Sequence, residues 1–279
     1  MKKAWFILLI LCLFAPTADA DESSALSQQA MESVQQRTQE MIAIGIPAAQ
    51  AQKMLTQMVQ NRFQIRSQIR AQQVVVEAAK AGLPTEPVMS KAMEGMAKQA
   101  SEAQVVKAME TVRSRYAYAQ QMARTLTDDD EAIASLTRTM ADCLAAGMKT
   151  ADMEAVVEQV RTRQQARTQN QAENDQLAVQ TMLAVRTMAR LGVHSSDVSD
   201  TLCQALQNRY THREMEQLRH RMARQSHQMT PQQIASRHAG TIGKGGGAGN
   251  AGAGSGPGSG SGPGGGSGPG GGSGPGGSK

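Results

Sequence analysis

Four segments of this chain share a glycine followed directly by an apolar residue: Gly45-Ile46, Gly82-Leu83, Gly147-Met148 and Gly192-Val193. Glycine takes the left-handed conformation that ends a helix, and the next apolar side chain folds back on the last turn. Three positions after each glycine stand Ala48, Thr85, Thr150 and Ser195. Three of these four are good N-cap residues. Glu86, Asp152 and Asp197 follow within two residues, where negative charge favours a helix N-terminus. Each segment is therefore a stop and restart between two helices. A further start is expected at Thr127, where Asp128, Asp129, Asp130 and Glu131 crowd the first turn, and another at Ser101-Glu102.

Between these corners the chain is rich in Ala, Gln, Met, Glu and Arg and poor in Gly, Pro and Asn, a helix-forming composition. No alternating runs of β-branched residues indicate strands. The expected fold class is all-α, a degenerate array of antiparallel helical hairpins with a disordered C-terminal tail.

A second pattern supports repetition. Val59-Gln60-Asn61-Arg62-Phe63, Val112-Arg113-Ser114-Arg115-Tyr116 and Leu206-Gln207-Asn208-Arg209-Tyr210 share one arrangement, and Val160-Arg161-Thr162-Arg163-Gln164 repeats it without the aromatic. The apolar and aromatic positions are four apart, which places them on one face of a helix. Ala51, Leu55, Met58 and Phe63 read as one such stripe, continued by Ile65, Ile69 and Val76 in a shifted phase. The phase change near Arg62 predicts a kink or a further turn. The motif arginines recur at intervals of roughly 50 residues, the scale of stacked helical hairpins. Their expected role is packing, with the guanidinium lying over the aromatic ring or capping a neighbouring unit.

The two ends differ from this middle. Lys2 and Lys3, an apolar run from Trp5 to Phe14, and Ala18-Asp19-Ala20 form a secretory signal pattern. The apolar run is too short to span a bilayer, and no segment after the cleavage site reaches about 20 apolar residues. Leu11 before Cys12, with Leu13 and Phe14 continuing the apolar run, argues against a lipoprotein site. From residue 243 onward Gly, Ser and Pro dominate, with Ser-Gly-Pro at 255, 261, 267 and 273. Such a segment cannot bury enough surface to fold, and as a coil its ends would lie roughly 30–35 Å apart. The expected organisation is a signal peptide over 1–20, a helical repeat region over 21–242, and a tail over 243–279. Localisation is then periplasmic or at the cell surface.

Function is less legible. The whole chain carries a formal charge of +5, and Arg209, Arg213, Arg219, Arg221, Arg224 and Arg237 cluster against only Glu214 and Glu216. Arg209, Arg213, Arg219, Arg221 and Arg224 form a candidate patch for an anionic partner. Behind a secretory signal that partner is a protein or an anionic envelope polymer, not nucleic acid. Cys143 and Cys203 permit one disulfide in an oxidising compartment, or are two small buried apolar residues. Met54 with Met58, and Met89 with Met93 and Met96, offer thioethers at helical spacing. They can fill gaps in an aromatic-poor core or hold Cu(I). His220 and His227 share a face but stand about 10 Å apart along a helix, too far for one ion.

No catalytic constellation emerges. His194-Ser195-Ser196-Asp197 collects triad residue types without triad geometry, and Asp128 to Glu131 lack the alternation and glycine of a calcium loop. Met229-Thr230-Pro231-Gln232-Gln233 resembles the Leu-Thr-x-x-Gln motif of small periplasmic stress chaperones over five residues, with Met for Leu, too short to imply membership. The expectation is a non-enzymatic scaffold without cofactor or metal. A holdase and a Met-based copper binder are the alternatives.

Overall fold

In a computed structural model of the chain, residues 32–166 and 170–242 are described. They form eleven α-helices and no strand. The helices are α1 (residues 32–43), α2 (Ala48–Gln60), α3 (Ile65–Lys80), α4 (Glu86–Ala97), α5 (Glu102–Ala123) and α6 (Asp130–Ala145). They continue with α7 (Thr150–Gln165), α8 (Gln171–Arg190), α9 (Ser195–Gln207), α10 (His212–Gln225) and α11 (Pro231–Thr241). The all-α array read from the sequence is the observed fold class. The signal pattern and the Gly/Ser/Pro segment lie outside the described residues.

The corners form as their residues require. At Gly82 (φ 67°), the amide of Leu83 donates to Ala78 O at 2.9 Å and that of Gly82 to Ala79 O at 2.9 Å. This double hydrogen bond is a Schellman motif. Gly45, Gly147 and Gly192 close α1, α6 and α8 in the same way. Ile46, Leu83, Met148 and Val193 then fold into the core, each at most 6% exposed.

The restart chemistry differs from the expectation. Thr85 is the N-cap of α4 but its side chain accepts nothing, and Thr150 lies inside α7 behind the N-cap Lys149. Ser195 lies inside α9 behind the N-cap His194. Its hydroxyl accepts instead from the amide of Lys149, 2.8 Å away. The same stitch recurs where Glu102, the first residue of α5, accepts from the amide of Gln64, the N-cap of α3, at 3.0 Å. In both, the first residue of one helix caps the start of the helix two earlier. The start expected at Thr127 falls at Asp129, whose carboxylate accepts from Ala132 N, while the buried Thr127 hydroxyl accepts from Asp129 N. Ser101 caps α5 as expected, in a reciprocal capping box with Gln104.

Stacking follows one rule with one break. Each helix packs mainly on the helix two further along: α2 on α4, α3 on α5, α6 on α8, α7 on α9, α8 on α10, and α9 on α11. The rule breaks at α5. This 22-residue helix packs on α3, α4 and α6 together, while neither α4 with α6 nor α5 with α7 forms an extensive surface. The array thus consists of two stacked halves joined through α5.

Apolar burial holds the stack. Nine of the twelve largest fully buried side chains are methionines, so unbranched thioethers fill the volume that the missing aromatics would occupy. Gly95, inside α4, gives up roughly 1 kcal/mol of helix propensity relative to Ala. It allows close approach of α5, because a Cβ there would stand 2.9 Å from Val105 Cγ2. Ion pairs across the stack, Arg70 with Glu110 at 2.6 Å and Arg190 with Asp142 at 3.0 Å, are solvent-exposed. They contribute at most about 1 kcal/mol each.

Candidate functional sites

The exposed face of α10 is the most charged surface the sequence indicated. Met215, Leu218 and Met222 are buried and fix which side faces the array. At 100° per residue, Arg213, Gln217, His220 and Arg224 fall on the opposite side and Arg221 on its flank. Arg213, Arg221 and Arg224 are exposed and form no ion pair among the described residues. The two acids of the helix are occupied elsewhere. Glu214 closes the capping box with Thr211, accepting from its amide at 2.8 Å. Glu216 lies 3.7 Å from both Arg219 and His220.

The candidate patch is therefore narrower than five residues. Arg219 is half-buried and turned to Glu216. Arg209 precedes the helix, at the corner that ends α9.

The aromatic motif resolves into two different structures, a correction to the single helical slot expected. In two copies it is a helix terminator. Arg62 (φ 57°) and Arg209 (φ 62°) occupy the left-handed position that glycine holds elsewhere. Phe63 N donates to Met58 O at 2.9 Å, and Tyr210 N to Ala205 O at 3.1 Å. Phe63 is thus the buried apolar residue after the turn, only 7% exposed. In the other two copies, Arg115 with Tyr116 and Arg163 lie within α5 and α7.

Because the Arg62 corner resets the helical phase, Ile65 and Ile69 do not continue the buried stripe. They are 67% and 39% exposed. Arg62 and Arg209 are both exposed. The fold does bring Arg163 and Arg209 together, on a cleft between the ends of α7 and α9 that Gln159 and Gln207 also line.

Cys143 and Cys203 do not pair. Cys143 Sγ donates to Met182 O at 3.8 Å and Cys203 Sγ to Ala155 O at 3.7 Å, on different helices. Burial pushes the Cys143 thiol up to about 12 and raises that of Cys203. Neither is an activated nucleophile. Met54, Met58, Met89 and Met96 are in the core and Met93 is packed against it. Among the described residues, no group of His, Cys, Asp and Glu is placed to hold a metal ion.

Two polar features serve local structure. The Thr230-x-x-Gln233 pair is a capping box that starts α11. Tyr118 donates its hydroxyl to Glu154 at 2.7 Å, tying α5 to α7. That hydrogen bond and burial raise its pKa, burial more so.

A group the sequence did not indicate surrounds His238, 6% exposed on α11, whose Nε2 lies 2.8 Å from Gln225 Oε1. Burial, with Arg221 and Arg237 nearby, lowers its pKa to about 4. No described helix is long and apolar enough to cross a membrane. Comparison with known proteins gives no match, whether to a family model, a curated protein or a solved structure.

Proposed function

We propose that this chain is an exported, non-enzymatic scaffold that binds an anionic partner, a protein or an envelope polymer, through the outer face of α10. The observation that carries this reading is the row Arg213, Arg221 and Arg224, exposed and without a counter-ion among the described residues. Such a row raises the local concentration of an anion and weakens with salt over a Debye length of about 10 Å at 0.1 M. The sequence adds the export pattern and a tail with the composition of a tether.

A holdase is the second reading, favoured by Ile42, Ile44, Ile65 and Ile69, each at least 39% exposed. Exposed apolar side chains at several places suit weak capture of unfolded chains. Convergent thioethers at the surface, which copper binding needs, have no counterpart in the buried sulfurs of the core.

In-cell crosslinking of the full chain, wild type against Arg213→Gln/Arg221→Gln/Arg224→Gln, tests both. The expected result is one discrete partner, lost in the triple variant and in high salt. A broad set of unrelated envelope proteins, unchanged by the substitutions, would overturn the scaffold reading in favour of the holdase.

A further inference from the structure

Where the two halves of the array meet, the α3–α4 corner, α5 and α6 enclose a cleft of about 370 Å³. Its lining combines apolar side chains with a few polar groups, the usual composition of a ligand site. Leu83, Ile133 and Ala134 supply apolar surface, and Gln120, Thr137, Arg124 and Arg138 the polar groups, with Asp130 also on the lining.

One polar atom there is anomalous. Thr137 is 3% exposed, and its Oγ1 is buried with no hydrogen-bond partner. Other buried threonines of this fold, such as Thr38 and Thr181, donate to the carbonyl four residues earlier at 2.7 Å. Thr137 does not, although it is helical. A buried hydroxyl without a partner costs about 1–3 kcal/mol, so its retention points to a partner that arrives from the cleft.

The neighbouring groups say what that partner is. Gln120 Nε2 donates to Gly82 O at 3.2 Å, which fixes the amide, and its Oε1 accepts nothing among the described residues. Arg124 and Arg138 are exposed and form no ion pair among the described residues. They outnumber Asp130, which lies eight residues before Arg138, about 12 Å along the axis of α6. The Thr137–Arg138 end thus favours an anion, and the Asp130 end does not. Twelve ångströms is about the span of three or four extended residues.

From this juxtaposition we propose that the cleft binds the C-terminus of a peptide ending in an apolar residue. Its carboxylate meets Arg138, its last amide groups meet Thr137 Oγ1 and Gln120 Oε1, and its side chain covers Leu83 and Ile133. A fatty acyl chain fits less well, because it would leave Thr137 and Gln120 without partners. The site is separate from the α10 face, and neither proposal depends on the other.

The test titrates the full chain with acetyl-Ala-Leu, its C-terminal amide and acetate, following the methyl resonances of Leu83 and Ile133 by NMR. The acid is expected to shift them saturably. The amide, Arg138→Gln and Thr137→Val should each weaken binding about tenfold or more. Thr137→Ser, which keeps the hydroxyl, should bind as the wild type does. Thr137→Val removes an unpartnered buried hydroxyl, so its thermal midpoint should be unchanged or higher and loss of fold does not account for loss of binding. Acid and amide titrating alike, acetate binding as tightly as the dipeptide, or both variants binding normally would overturn the proposal. Gln substitutions at Arg213, Arg221 and Arg224 should leave this titration unchanged, and loss of the α10 partner in the crosslinking experiment bears on the α10 reading alone.

Discussion

Arg62 and Arg209 end helices in a backbone conformation that side chains with a Cβ enter at a cost of roughly 1–2 kcal/mol. Gly147 does the same work at φ 103° with open space around it. Gly147→Ala should therefore destabilise by about 1–2 kcal/mol through the backbone alone. Arg62→Gly should stabilise by about 0.5–1 kcal/mol. Urea unfolding of both variants checks the pair, and an Arg62→Gly protein less stable than wild type would show that the arginine side chain contributes what its exposure does not reveal. The four glycine corners were legible in the sequence because each glycine and its apolar follower end one helix-forming run where another begins. The Arg62 corner was legible only as a phase change in the apolar stripe, which left a kink or a turn open. The Arg209 corner was not legible at all, since Asn-Arg-Tyr reads equally as a helical stripe. Thr137 and Gln120 were illegible for another reason: they meet across elements whose contact no local spacing encodes.

At the scale of the element, α11 is the helix whose attachment should respond to acid. His238 is expected to titrate near 6.5 in the unfolded chain and near 4 when buried. Between those values the unfolded state binds more protons, so the stabilising contribution is present above pH 6.5 and is lost as pH falls toward 4. Hydrogen exchange should therefore show α11 losing protection over that window earlier than α6 or α8. His238→Gln should flatten the pH dependence of α11 protection, and an unchanged profile in that variant would place the acid sensitivity elsewhere. The Thr230–Gln233 capping box fixes the other end of the helix and does not titrate, so the effect belongs to the last two turns. The sequence analysis did not place a helix start at Thr230, and it offered no sign that His238, among four neighbouring histidines, is the buried one.

For the whole molecule, stability in a stacked array is the sum of each unit and its contacts with neighbours, and terminal units need a polar outer face. Helix α10 supplies such a face, with three buried apolar residues on one side and arginines on the other. Removing residues 208–242 uncovers the surfaces of α8 and α9 that α10 and α11 cover. The shortened chain should self-associate, detected as a rise in mass by light scattering. A monomeric, equally stable product would show that the last two helices are not a cap. The period of the stack was readable in advance from recurring corners, and the extra start at Ser101 marked the second unit as irregular. The interruption at α5 was not readable, because no local spacing shows that this helix meets α3, α4 and α6 together. That interruption also governs how such a chain can change over time. A helix pair inserted on either side of α5 meets the same kind of neighbour it came from, so the array can lengthen or shorten there and still close. Helix α5 faces α3, α4 and α6 at once, and no duplicate of it would find those three surfaces again.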